Sequence, residues 1–101
     1  MVGIYLALFF GGAFFVNAIP HFVSALQGRK FPTPFAKPPG RGDSSTIVNL
    51  LWGAFNFLIA YLLLCQYIFI DLRSGIQAGI AGLGGLLMGL QLAWHFGRVK
   101  G

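Results

Sequence analysis

The sequence predicts an all-α membrane protein in which three transmembrane helices make up nearly the whole chain. Three apolar stretches, 2–26, 46–70 and 75–96, are each long enough to cross a bilayer, because a helix needs about 20 apolar residues to do so. Lipid admits only helices or closed barrels, and none of the stretches alternates apolar and polar residues as barrel strands do. Charged residues make up 9% of the chain, against about 25% in a typical soluble domain, which argues against a soluble globule.

The helices leave no room for a soluble domain, so we expect one three-helix domain over residues 1–101. Only residues 71–74 separate the second apolar stretch from the third. So short a turn predicts that helices 2 and 3 form an antiparallel hairpin, against which helix 1 docks. In helix 1, Gly3, Ala7 and Gly11 belong to a stripe of small residues, and Leu8 is expected to point away from it.

Basic residues are concentrated at one end of the predicted bundle. Three crossings place the 27–45 loop and the C-terminus on the same side, and Arg73 alone on the other. Basic residues that flank short loops remain in the cytoplasm, so the N-terminus is expected outside and the C-terminus in the cytoplasm. We therefore expect a multi-pass protein of the plasma membrane or the bacterial inner membrane. The basic residues on the first side are Arg29, Lys30, Lys37, Arg41, Arg98 and Lys100.

The net charge of +5 is explained by this distribution, so we expect no nucleic-acid partner. Near an anionic membrane surface each basic residue contributes about 1 kcal/mol, and a dedicated site for a phosphorylated ligand is the alternative. The loop also holds four of the five prolines, which predicts extended or turn structure, with Phe31 and Phe35 holding it toward the bilayer or the base of the bundle. The residues expected to contact lipid headgroups are Arg29, Lys30, Lys37 and Arg41.

Small residues on helix 3 predict close helix packing. Gly82, Gly85 and Gly89 follow a small-xxx-small pattern that lets another backbone approach closely. A second packing surface runs through Gly84 and Met88, so we expect helix 3 to have two neighbours. Three helices of this size favour a homo-oligomer or membership in a larger membrane complex.

Polar residues gather in the predicted cytoplasmic half of the bundle, at similar depth when each residue advances about 1.5 Å. One interpretation is a ligand-binding pocket open to the cytoplasm, with the two histidines as proton carriers or ligand contacts. The other is that the amides hydrogen-bond between helices, each contributing about 0.6 kcal/mol. The residues concerned are Asn17, His21, Asn49, Asn56, Gln91 and His95.

These patterns leave three functions open. The first is a non-catalytic subunit or accessory protein that acts through helix packing in a complex or homo-oligomer. The second is an oligomeric transporter of a small molecule or lipid headgroup, and the third is a carrier of b-type haem with His21 and His95 as axial ligands. We expect no enzyme, no metal site and no required cofactor, because the sequence offers one cysteine, no glutamate and no nucleophile–base pair.

Overall fold

Three long helices are joined by a structured loop and a short connection in the computed structural model, which describes residues 1–100. Helix α1 covers Val2–Leu26, and helix α2 covers Thr46–Tyr61 and continues as a π-helical segment, Leu62–Tyr67. Helix α3 covers Gly75–Lys100. All three are long and apolar enough to cross a membrane, so the protein has the make-up of a small membrane protein.

The loop between α1 and α2 contains a small antiparallel ribbon. Strand β1 (Phe31–Pro32) pairs with strand β2 (Asp43–Ser44), so that Phe31 lies opposite Ser44. The Oγ of Ser45 then accepts a hydrogen bond from the backbone N–H of Val48 at 3.2 Å and caps the N-terminus of α2. The loop is therefore folded structure rather than an open connection.

Two helix ends differ from the prediction. Helix 2 ends at Tyr67 rather than at residue 70, because its last six residues widen into the π segment and Ile68 is extended. Helix 3 runs to Lys100 rather than to 96, since no proline interrupts its last turn. The connection between the two helices is consequently longer than the predicted four-residue turn.

Helix α1 lies between the other two helices and packs along both of them, whereas α2 and α3 make no comparable contact with each other. The packed hairpin expected of helices 2 and 3 is thus not formed. The cause lies in α1, where Gly11 faces Leu64 of the π segment and the neighbouring Gly12 faces Ala81 of α3. Small residues on two faces of one helix let both neighbours approach it.

The closest helix crossing joins α1 to α3. A side chain at Gly12 would overlap the carbonyl oxygen of Ala81, and a side chain at Gly84 would overlap that of Phe9. Leu8, expected to point away from the packed stripe, is instead fully buried. A helix with neighbours on two sides has a wider buried face than a single small-residue stripe describes.

A candidate polar site beneath the loop

Residues 27–45 fold across one end of the bundle, and we call this segment the loop cap. Thr33 is its internal anchor: its side chain is 1% exposed, and its Oγ1 lies 2.6 Å from the Oγ of Ser44. The backbone N–H of Phe35 donates to Thr33 Oγ1 at 3.1 Å, and that of Gly40 donates to the Thr33 carbonyl at 2.8 Å. These bonds hold the proline-rich chain in one folded arrangement over the helices.

Asn49 of α2 attaches the loop cap to the bundle. It is fully buried, and its side-chain N–H group donates to the carbonyl oxygens of Phe31 at 2.9 Å, Ser44 at 3.2 Å and Ser45 at 3.0 Å. Carbonyl oxygens only accept hydrogen bonds, so the amide nitrogen must point to them. The Asn49 amide oxygen is then left to accept a bond from elsewhere.

That bond comes from His21 of α1, whose Nδ1 lies 2.9 Å from Asn49 Oδ1. Since Oδ1 accepts, Nδ1 carries the proton, and in the neutral ring Nε2 keeps its lone pair. The ring is surrounded by aromatic side chains, with centroids 5.6 Å from Phe31, 6.4 Å from Trp52 and 6.2 Å from Phe96. His21 is 3% exposed and thus sits inside the protein.

A second amide pair joins α1 to α2. Asn56 donates through Nδ2 to the Trp52 carbonyl at 2.8 Å, which leaves its Oδ1 to accept from Asn17 Nδ2 at 3.0 Å. Asn56 is fully buried. The amide oxygen of Asn17 is therefore oriented away from this pair.

The last turns of α3 also reach the loop cap. His95 Nε2 lies 2.7 Å from the Gly40 carbonyl oxygen and must donate to it, so that Nδ1 keeps the lone pair of the neutral ring. Further along, Lys100 Nζ forms an exposed ion pair with Asp43 at 2.7 Å. The loop cap thus contacts all three helices.

These groups line a partly open polar cavity of about 150 Å³. Of the six predicted pocket residues, Asn17, His21 and His95 line it, while Asn49 and Asn56 hold the first two in place from behind. Gln91 is exposed and lines a different groove, between α1 and α3. The remaining residues that line the cavity are Pro32, Thr33, Pro34, Gly40, Trp52, Leu92 and Phe96.

Sequence reasoning missed Thr33, Trp52 and Phe96 as parts of this site. An aromatic residue near a membrane surface is ordinarily an interfacial anchor, so neither aromatic indicated a cavity. Thr33, between two prolines, carried no helical or strand pattern at all. The available signal was Phe31 and Phe35, whose apolar rings predicted that the loop is held down; Phe31 indeed packs on Phe96 at 4.6 Å and Phe35 on Trp52 at 5.1 Å.

The arrangement does not fit a haem held by His21 and His95. Axial ligation requires two histidine nitrogens that face one iron from opposite sides of a porphyrin. Here His95 directs Nε2 to the Gly40 carbonyl, and the shared cavity of about 150 Å³ is too small for the macrocycle. Among residues 1–100, no cluster of three His, Cys, Asp or Glu side chains is close enough to hold a metal ion.

The other predicted residues lie outside the cavity. Gly85 is packed against Val16 and Gly12, Gly89 lies near Val16, and Gly82 has no neighbour within 4 Å of the position a side chain would take. The basic residues expected at lipid headgroups are all exposed on the loop cap: Arg29, Lys30, Lys37 and Arg41. No protein-family model, curated protein or solved structure matches this chain.

Proposed function

We propose that this protein is a small, non-catalytic, multi-pass membrane subunit that acts by packing against other transmembrane helices, in a homo-oligomer or a larger complex. One observation carries the proposal: the arrangement of α1 between α2 and α3 leaves an apolar groove on the side of the bundle. This lateral groove has a volume of about 670 Å³ and lies between the π segment and α3, with α1 as its floor.

The walls of the lateral groove suit a helix. On α3 it is lined by Ala78, Gly82 and Gly89, and on the opposite wall by Leu64 and Cys65. Small side chains on one wall allow close backbone approach, and the absence of charged residues in the lining suits an apolar partner. A helix seated here would gain the dispersion contacts that α2 and α3 do not make with each other.

The glycines of α3 support the same conclusion. Glycine costs about 1 kcal/mol relative to alanine in a helix interior, and close packing offsets that cost. Gly84 and Gly85 meet α1, but Gly75, Gly79 and Gly82 have open space where a side chain would lie. Contacts within one chain therefore offset the cost of only some of these glycines.

We propose that the loop cap lies in the cytoplasm with the C-terminus, and that the N-terminus is outside. The support is the charge distribution: the loop cap and the last turn of α3 carry six basic residues at one end, and Arg73 stands near the other. The membrane is then a plasma membrane or a bacterial inner membrane. The exposed Arg29, Lys30, Lys37 and Arg41 would contact anionic headgroups.

The oligomeric state in mild detergent tests the proposal. We expect native mass spectrometry to show more than one chain, or a copurified partner, and Gly82→Leu to reduce that association by about tenfold or more, because leucine fills the lateral groove. Leu83→Phe is the matched control, because it adds bulk on an exposed face that lines no groove. A wild-type protein that stays a lone monomer at all detergent-to-protein ratios contradicts the proposal.

Cys65 provides a second readout without any added label site, because it is the only cysteine and lines the lateral groove. In native membranes we expect a lipid-soluble maleimide to label Cys65 slowly when the groove is filled by a helix, and rapidly in Gly82→Leu. Equal labelling rates in both proteins would mean that the groove is not covered.

A transporter of a small molecule or lipid headgroup is the second candidate, and the polar cavity favours it. Such a carrier requires that the loop cap open, since the cap forms one wall of the cavity. Uptake or release of a solute by proteoliposomes that contain the purified protein would support this candidate over a purely structural subunit.

A further inference from the structure

The hydrogen-bond directions around the polar cavity follow from backbone carbonyls, which cannot donate. The Gly40 carbonyl fixes the proton of His95 on Nε2, and the three carbonyls bonded to Asn49 fix the proton of His21 on Nδ1. The Trp52 carbonyl orients Asn56 and, through it, Asn17. One consistent set of donors and acceptors therefore spans all three helices.

In this set, three atoms on cavity-lining residues keep lone pairs and have no donor from the protein. They are the Asn17 amide oxygen, His21 Nε2 and His95 Nδ1. Among residues 1–100, no fully buried side-chain nitrogen or oxygen lacks a partner, so each of these atoms retains accessible surface. The cavity lining thus carries three acceptors that no protein group supplies with a hydrogen.

The cavity walls are aromatic. Trp52 and Phe96 line it, and the faces of aromatic rings attract cations by about 0.5–2 kcal/mol. The basic side chains nearest in sequence to the cavity lining, Lys30, Arg41 and Arg98, are all exposed, so water and salt screen their charge. The volume of about 150 Å³ has room for about five water-sized groups.

We propose that the polar cavity binds a primary ammonium group, which donates N–H hydrogen bonds to Asn17, His21 and His95 and rests its charge against the aromatic walls. A donor-rich cation satisfies the acceptors and the aromatic faces together. The group has two sources of the same chemistry: free ammonium or a small amine, and the headgroup of phosphatidylethanolamine. This inference is independent of the proposed helix packing, because the cavity and the lateral groove share no residue.

Nitrogen NMR of the full-length protein labelled at histidine tests the proposal directly, since the chain has only two histidines. In detergent, ammonium chloride and methylammonium chloride are expected to move the signals of His21 Nε2 and His95 Nδ1 to saturation, because their lone pairs become hydrogen-bonded. Potassium has nearly the same size without N–H groups, and tetramethylammonium has the charge without donors. Both are expected to leave the signals unchanged.

Nanodiscs of two lipid compositions distinguish the two possible sources of the ammonium group. A shift in phosphatidylethanolamine nanodiscs and none in phosphatidylcholine nanodiscs, both without soluble amine, would identify the lipid headgroup as the ligand. A shift only on addition of the soluble amine would identify the free form. Either result supports the proposal.

Fluorescence provides the variant test. In a Trp94→Phe background Trp52 is the only tryptophan, and its emission is expected to respond saturably to ammonium. Asn17→Leu should weaken the apparent affinity by about tenfold, the size of one charge-assisted hydrogen bond, while Gln91→Leu, which also replaces an amide by leucine but lies outside the cavity, should not. Absence of any response to ammonium or methylammonium in wild type, or an equal response to potassium, overturns the proposal.

Discussion

His21 of α1 and Asn49 of α2 form a 2.9 Å hydrogen bond beneath the loop cap, which Asn49 accepts through Oδ1, and the side-chain N–H groups of Asn49 hold the loop cap itself. One side-chain amide thus joins two helices and a proline-rich loop. The proline residues of this loop have no backbone N–H, so its own ladder is limited to the two-residue strands β1 and β2. A buried asparagine supplies the donors that the loop needs.

Asn49→Leu is expected to be the most damaging single substitution at this end of the bundle. It leaves the buried His21 Nδ1 without its partner and removes the side-chain donor from the carbonyls of Phe31 and Ser44, and each orphaned buried group costs about 1–3 kcal/mol. We expect a loss of about 3 kcal/mol or more, measured as a fall in unfolding midpoint in detergent. Gln91→Leu is the control, since Gln91 is exposed, and an Asn49→Leu protein as stable as this control would contradict the assigned bonds.

In their neutral forms the two histidines are expected to be opposite tautomers. The Asn49 oxygen holds the proton of His21 on Nδ1, and the Gly40 carbonyl holds that of His95 on Nε2. Nitrogen NMR distinguishes the forms, because the protonated and unprotonated ring nitrogens resonate far apart. Two identical tautomers in the folded protein would show that one of these bonds is absent.

The Asn17–Asn56 pair is expected to stabilise the bundle only modestly. Hydrogen bonds between helices in lipid average about 0.6 kcal/mol and rarely exceed about 1.7, because unpacked helices also find partners. A double-mutant cycle with Asn17→Leu and Asn56→Leu measures the coupling. A coupling energy near zero would mean that the two amides do not bond.

Two glycines of α3 should respond oppositely to alanine. Gly84→Ala places a methyl group on the Phe9 carbonyl and must push α1 and α3 apart, at a cost of about 1–3 kcal/mol. Gly79→Ala meets open space and should gain about 1 kcal/mol from helix propensity. Unfolding midpoints of the two variants, compared with wild type, decide whether α3 crosses α1 at Gly84.

Membrane orientation is testable in a Cys65→Ser background. A cysteine introduced at Lys37 of the loop cap should resist a membrane-impermeant maleimide in intact cells and react after lysis, because we place the loop cap in the cytoplasm. A cysteine at Leu72, in the opposite connection, should react in intact cells. The reverse pattern would invert the proposed topology while leaving the fold unchanged.

The sequence alone predicted the helices well and their packing order poorly. Apolar runs and the depth of polar residues are local properties, so the three spans and the nearness of Asn17, His21 and His95 followed from spacing. The packing order, in which α1 lies between α2 and α3, depends on glycines of α1 that contact two different neighbours. Only Gly11 was assigned to the small-residue stripe, whereas Gly12, whose side-chain direction differs by about 100°, makes the contact with α3.

Gln91 shows how far the candidate site could be predicted from the sequence. It has a similar depth and carries an amide like its buried counterparts, yet it is exposed in a groove between α1 and α3, because no second helix packs on α3. The depth of Gln91 in the bundle was predictable from the sequence, whereas the surroundings of its side chain depended on the packing order of the helices. Thr33 could not be predicted from the periodicity of apolar residues for a different reason: the loop cap derives its shape from hydrogen bonds within the loop and to Asn49 of α2.

The contacts of the loop cap set an order of events during synthesis. Residues 27–45 leave the ribosome before α2 and long before α3, yet their bonds need Asn49 from one and His95 from the other. The loop cap is synthesised second, directly after α1, but it is therefore the last segment to fold. Until the end of α3 has been synthesised, His21 lacks its contact with Phe96. A chain that stopped before Phe96 would therefore keep its transmembrane helices but could not form the complete polar cavity.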